Sequence, residues 1–268
     1  MRARLTGKAA MPVVSAAVAM AAAVTGCSSS GDGAKGGQAR GPVVQRDDTA
    51  HPDKLVQLRG AEYVKIAGLA DAAASKRLDA ALRAPLDWAV TWAWKAPLKE
   101  QLAECKGKPS VLQSKVRLGL RGDIVSVANA IGMVPCYEGE GSLPTVPVTV
   151  DVKAGKALAP QDVFNDTALS RKGLAMLWAR LAGPKDDWRD CELDPPRYQD
   201  LFPGKRDGEP IESPAPFGLF FTAQGLEVIW STTGTGCNNF TFTVAYEKVK
   251  DLIKPEVYPR LLAAATAR

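Results

Sequence analysis

The chain has 268 residues, with 34 basic and 29 acidic side chains, a single histidine and five cysteines. The formal charge of +5 falls to +2 once the three basic residues among the first 26 are set aside, and so weak a surplus gives no electrostatic case for a nucleic-acid partner. The lone histidine, His51, lies near the N-terminal end, which argues against Ser-His-Asp or Cys-His catalysis inside the fold and against a histidine-rich zinc centre.

Arg2, Arg4 and Lys8 form a positive head, and the 17 residues from Ala9 to Thr25 are mostly apolar. This is the layout of a secretory signal peptide, and the run is short of the ~18–20 residues that span a bilayer. Val24-Thr25-Gly26-Cys27 resembles a bacterial lipobox, in which small residues admit the peptidase and the thiol of Cys27 receives a diacylglycerol. The plainer alternative is a secreted protein with a chance cysteine. Arg2-Ala3-Arg4 is not a twin-arginine pair, so the general secretory route is expected. The reading is therefore a signal peptide over 1–26, a lipidated Cys27 with a flexible tether to residue 55, and one domain over 56–268. The protein would sit on the outer face of the cytoplasmic membrane, held there by lipid alone.

The tether reading rests on Ser, Gly, Asp, Lys and Gln dominating residues 28–52. Beyond it, "LADAAASKRLDAALRA" (69–84) carries Leu78, Ala81 and Leu82 on one face, which predicts a helix ended by Pro85. "WAVTWAW" (88–94) reads as an aromatic strand. "KVRLGL" (115–120) and "DIVSVANAIGMV" (123–134) flank Arg121-Gly122 as a β-hairpin that sets Leu120 opposite Asp123. "TVPVTVD" (145–151) is a further strand, and Pro147, which has no backbone donor, puts it at an edge or a bulge. Leu174, Leu177, Trp178 and Leu181 recur at helical spacing within 169–183. The 32 residues from Lys185 to Pro216 hold nine acids and five bases, with Trp188, Tyr198 and Phe202 among them. Three strands follow at 217–221, 226–230 and 240–246, and "EKVKDLI" (247–253) reads as a closing helix. The fold class is α+β, a largely antiparallel sheet packed by two or three helices.

Apart from Cys27, the cysteines are Cys105, Cys136, Cys191 and Cys237, an even number in an exported chain and without CxxC spacing. Two disulfides are expected. The hairpin brings Cys105 near Cys136, which leaves Cys191 to pair with Cys237. That second bridge would pin the acidic segment beside the turn at 231–239 and make Trp188 and Tyr198 aromatic anchors of a recognition face.

No G-x-S-x-G, H-E-x-x-H, P-loop or Rossmann glycine pattern occurs, and the reading assigns no catalytic residue, no metal ligand and no cofactor. The acids of "KDDWRDCELD" (185–194) read as a solvated loop. Catalysis by two carboxylates, as in glycosidases, needs no histidine and stays open.

Three stretches together carry a family resemblance: "YVKIAGLADAAASKRLDAALR" (63–83), "VTVDVKAGKALAPQDVF" (148–164) and "FGLFFTAQGLEVIW" with "FTVAYEKVKDLI" (217–253). Their order is similar to the RsiV-like extracytoplasmic domain of lysozyme-sensing anti-sigma factors. That domain also forms the non-catalytic half of certain peptidoglycan deacetylases and a secreted mycobacterial immunogenic protein. The resemblance covers residues 58–255 and implies an extracytoplasmic binding or sensing domain, with lysozyme-like or cell-wall ligands as partners. The chain departs from the family pattern at "YEGEGSLPTVP" (137–147) and "STTGTGCNNF" (231–240), both loop segments, where recognition is usually housed. A carboxylate-dependent glycan enzyme and a structural accessory lipoprotein of an envelope complex are the alternatives.

Cys27→Ser is expected to abolish incorporation of radiolabelled fatty acid and to leave the protein released or retained as precursor. Continued labelling would overturn the lipobox reading.

Overall fold

The computed structural model describes residues 41–139, 141–183, 193, 195–202, 211–231 and 239–267, all within one compact unit from Gly37 to Arg268. Its first strand, β1 (Gly41–Asp47), lies in the stretch read from sequence as tether. It pairs antiparallel with β4 (Ala61–Ala67), Gly41 opposite Ala67 and Asp47 opposite Ala61. Between them come β2 (Ala50–His51), a 3-10 turn at Pro52–Lys54 and β3 (Val56–Leu58). The folded region thus begins before residue 56, and His51, expected in or beside the tether, lies within the main sheet opposite Val56. Polar composition hid the strand because β1 buries little of itself, and Val43 and Val44 are exposed.

Helix α1 (Ala72–Lys95) runs straight through Pro85 and takes in the expected 88–94 strand. Asp71 caps it, its carboxylate accepting from the N–H groups of Ala73 (2.8 Å) and Ala74 (3.1 Å). Proline costs an interior helix one hydrogen bond and a steric clash. Here the apolar stripe outweighs both, because Leu78, Leu82, Leu86, Ala89, Val90 and Ala93 all face the core. That 3.6-residue spacing continues past Pro85, so the aromatic content of 88–94 misled where periodicity did not. A short helix, α2 (Lys99–Glu104), follows.

The hairpin forms as β5 (Ser110–Arg121) and β6 (Ile124–Val134). Its register is two residues wider than the sequence expectation, with Leu118 opposite Val127 and a bulge between Leu118 and Leu120. Gly119 at that bulge allows a close approach: a Cβ there would lie 2.1 Å from the carbonyl oxygen of Phe221. Cys105 and Cys136 are bridged, their Cα atoms 4.8 Å apart, which ties the end of α2 to the end of β6. Cys27, Trp188, Cys191 and Cys237 lie outside the described residues.

Strand β7 (Ser142–Asp151) pairs with β6, and on its other side it meets only the two-residue β8 (Lys156–Ala157) at Val150 and Asp151. Most of β7 is therefore an edge, as Pro147 foretold. The main sheet has the order β2-β3-β5-β6-β7-β8, antiparallel except where β3 runs parallel to β5. Short helices α3 (Pro160–Val163) and α4 (Asp166–Leu169) lead to α5 (Arg171–Arg180), capped by Ser170, whose hydroxyl accepts from Gly173 N–H at 3.0 Å. After α6 (Tyr198–Leu201), strands β9 (Phe217–Phe221), β10 (Leu226–Trp230) and β11 (Phe240–Val244) make a separate antiparallel sheet. Residues 247–253 are not the expected helix. They continue a single 3-10 turn at Tyr246–Lys248 into further turns whose backbone is engaged sideways, Asn165 N–H donating to Leu252 O (3.0 Å) and, just beyond, Lys254 N–H to Val163 O (2.9 Å). The closing helix is α7 (Tyr258–Thr266).

The α+β class stands, with Leu78 and Leu82 of helix α1 packed on Val125, Val127 and Val150 of the main sheet and on Val64 of β4. On the opposite face, β9–β11 and α5 form the largest apolar cluster. Trp178 is its centre, edge-on to Phe242 at 4.9 Å and within 6.5 Å of Phe217. Leu177→Ala and Trp178→Ala should each lower stability by about 2–5 kcal/mol in chemical denaturation. Losses below ~0.5 kcal/mol for both would mean that α5 is peripheral.

Candidate binding groove on the main sheet

Before its bulge, the side chains of β5 alternate: Leu112 and Ser114 are buried on the α1 side, whereas Gln113, Lys115 and Arg117 point to the other face, and the bulge then turns Leu120 to that other face as well. On that second face the three-stranded sheet covers only one end, where Ala128 packs with Phe220 and Ile229. The other end stays open as a groove of about 450 Å³. Ala130 and Gly132 of β6, opposite Lys115 and Gln113, give it a low floor. Arg46 of β1 and Arg59, in the turn from β3 to β4, line it from the side.

This arrangement depends on how β4 meets β5. The two are not laddered; instead Ser114 Oγ donates to Glu62 O (2.6 Å), and Val116 N–H donates to the Glu62 carboxylate (3.2 Å). The same carboxylate accepts from Lys115 Nζ at 2.8 Å and lies 3.8 Å from Arg46. The Lys115 bond, the Val116 N–H and the cationic charges hold the Glu62 carboxyl below the usual carboxylate range, against the opposing effect of burial. Two cations are thereby gathered at the groove around one largely buried anion. Arg59 has no side-chain ion pair among the described residues. Arg117, next along β5, is spent elsewhere: it makes a forked pair with Glu227 (3.0 and 2.6 Å), its guanidinium 4.3 Å from the Phe220 ring centroid.

Behind this wall, Asp47 at the end of β1 binds Arg83 of α1 and the backbone N–H of Thr49. Burial works against ionisation of Asp47, but the bonds from Thr49 and Arg83 prevail and keep its carboxyl low. Arg46 is thus carried on a strand fixed at its next residue.

Of the residues singled out from sequence, Cys105 and Cys136 come together as expected. Tyr198 opens α6, exposed, with its ring centroid 4.6 Å from that of Phe202. Leu201 of the same turn lines a second, apolar cleft of about 180 Å³ with Val148, Leu158, Pro160 and Leu219. Sequence reasoning missed the groove, because Arg46 was assigned to the tether and Arg59 and Lys115 are unremarkable alone. One signal was present: carried across the hairpin, the alternation of Gln113 and Lys115 faces them onto Ala130 and Gly132.

No family profile matches the chain, and no characterised protein does so. Among solved structures, it is similar to a DUF3298 family member from Bacteroides fragilis, at 9% identity and a TM-score of 0.47 over 80% of this chain and 88% of that one. A DUF3298 family protein from Pseudomonas aeruginosa matches at 16% identity and a TM-score of 0.42, over 82% of this chain and 94% of the other.

Because the Glu62 carboxyl is held low in the folded state, its contribution is complete above the unfolded value of about 4.3 and is lost as pH falls through the folded one. Glu62→Gln should therefore lower the urea midpoint at pH 7, by an amount equivalent to about 1 kcal/mol, with the deficit shrinking below pH ~4. A deficit that persists unchanged in acid would show that the charge plays no part.

Proposed function

We propose that this protein is a lipid-anchored, extracytoplasmic binding module of the bacterial envelope, of the RsiV-like kind that its sequence resembles. The observation that carries the reading is the groove: charged side chains on strands fixed by ion pairs, facing solvent, with small residues as floor. A rigid, concave, polar surface of this kind is suited to holding a ligand. The Cys105–Cys136 bridge fits an oxidising compartment, and the signal-like segment with Cys27 supplies the route there. From Cys27 to Gly41 the chain has 14 residues, which extended would reach roughly 50 Å. The partner is a cell-wall or protein ligand. A lysozyme-like, basic partner suits the acidic 185–216 segment with Trp188 and Tyr198 better than it suits the groove, where like charges would repel.

Surface labelling of intact cells, followed by co-sedimentation of the purified protein with cell walls and with lysozymes at low and high salt, tests the reading. Labelling from outside and salt-sensitive retention by either ligand are expected. A protein shielded from surface label, or retained by neither ligand, would overturn it. Release of reducing sugar or acetate from peptidoglycan would favour the carboxylate enzyme instead, and crosslinks to a membrane complex alone would favour an accessory role.

A further inference from the structure

We infer that the groove between β1 and the β5–β6 hairpin is a binding site for phosphate groups, carried on a polyol or glycan chain. The inference deepens the binding-module reading by naming the chemistry of its ligand. Its first support is the sign and number of the charges. Arg46, Arg59 and Lys115 line the groove, and among the described residues the one carboxylate bonded to this set is Glu62. The local surplus of these side chains is two positive charges, reduced to one by Asp48, which accepts the Gly60 N–H at 2.6 Å beside the groove, and this matches a phosphodiester.

The second support is direction. Arg46 comes from β1, Arg59 from the β3–β4 turn and Lys115 from the sheet face, so the donors approach from three elements rather than from one plane. A tetrahedral oxyanion accepts hydrogen bonds from several directions, whereas a carboxylate accepts mainly in its own plane. Arginine forks suit phosphate in particular, and the Gln113 amide at the floor offers a further donor.

The third support is room. A Cβ placed on Gly132 would meet no atom within 4 Å, so the floor is open above the strand. At about 450 Å³ the groove holds a phosphate together with the polyol or sugar unit that bears it. Its position fits as well. Arg46 is five residues along β1 from Gly41, roughly 17 Å at ~3.4 Å per residue, so the groove lies at the strand end remote from the tether.

Gly132 also supplies the sharpest test. Gly132→Leu fills the groove without altering its charge, and its Cβ meets nothing in the fold. Arg59→Gln removes a cation that no described carboxylate holds, and Glu62→Gln removes the neutralising anion while keeping an acceptor for Val116 N–H. Calorimetric titration of the purified protein with pyrophosphate and with a soluble glycerol phosphate oligomer should show saturable binding that weakens with salt. Arg59→Gln and Gly132→Leu should each weaken it by about tenfold, Glu62→Gln should strengthen it, and Arg171→Gln on α5 should leave it unchanged. Unfolding midpoints of the variants check that each is folded. Flotation with vesicles of equal parts phosphatidylglycerol and phosphatidylcholine separates a lipid headgroup from a soluble chain as the source of the phosphate. Absence of binding to either soluble phosphate probe, or binding indifferent to both Arg59→Gln and Gly132→Leu, would overturn the inference. Equal binding of polygalacturonate would overturn the choice of phosphate over carboxylate. None of these readouts depends on the anchor or on whole walls, so failure here and failure of the binding-module reading are told apart.

Discussion

The pairing of β5 with β6 is the constraint on which the other features depend. Its register decides which side chains face α1 and which face away, since a slip of one residue would exchange the two sets. With Leu118 opposite Val127, the apolar side chains of β6 line up with the Leu78–Ala93 stripe of α1. The same register puts Gly119 under Phe220 and Phe221, where no side chain would fit. It also brings the residues beyond both strand ends close enough for Cys105 to meet Cys136. Helix, second sheet and disulfide are three consequences of one alignment.

The groove follows from a second feature, the way β4 leaves the main sheet. After Leu58 the chain turns at Gly60, whose φ of 57° is a left-handed conformation natural to glycine. From there β4 pairs with β1 instead of continuing beside β5. That departure leaves β5 donors and acceptors without a strand partner, and a side chain answers them: the Glu62 carboxylate takes the Val116 N–H that a neighbouring carbonyl would otherwise take. An anion this well bonded attracts cations, and Lys115 and Arg46 come to it. The basic character of the groove is thus partly a by-product of satisfying a sheet edge, and Arg59 adds the charge that makes it a surplus.

The elements most legible in the sequence were those whose burial is one-sided and periodic. The 174–181 stripe, the strands 217–221 and 226–230, the hairpin and the edge position of β7 all appear as their side-chain patterns indicate. Local rules failed where tertiary packing outweighed them. Pro85 does not end α1, because the buried stripe continues on both sides of it, and the tryptophans at 88 and 92 sit one helical turn apart rather than along a strand. The 247–253 run has helical spacing in Val249, Leu252 and Ile253, yet it forms only a 3-10 turn and further turns, and its end bonds sideways to residues 163 and 165. The β1 strand was invisible for a different reason: its stabilisation comes from β4, and a polar strand leaves no apolar signature of its own.

The candidate site was hidden by the same logic. A catalytic motif announces itself because its residues must be of particular types at particular spacings. A groove assembled from Arg46, Arg59 and Lys115 asks only that three common side chains be brought to one place, and 69 residues separate the first from the last. What the sequence does encode is the space between them. Ala130 and Gly132 stand at alternate positions on the outward face of β6, where large or polar residues would be equally compatible with strand formation. Glycine inside a strand carries an entropic cost of roughly 0.5–1 kcal/mol and contributes no packing, and at position 132 no neighbouring atom requires its smallness. Where Gly119 is explained by the ring of Phe220 above it, Gly132 opens onto the groove and stands at an irregularity in the β6–β7 pairing. The β6–β7 register shift between Ala130 and Gly132 gives glycine a backbone role there, and the inferred ligand would use the space that its missing side chain leaves.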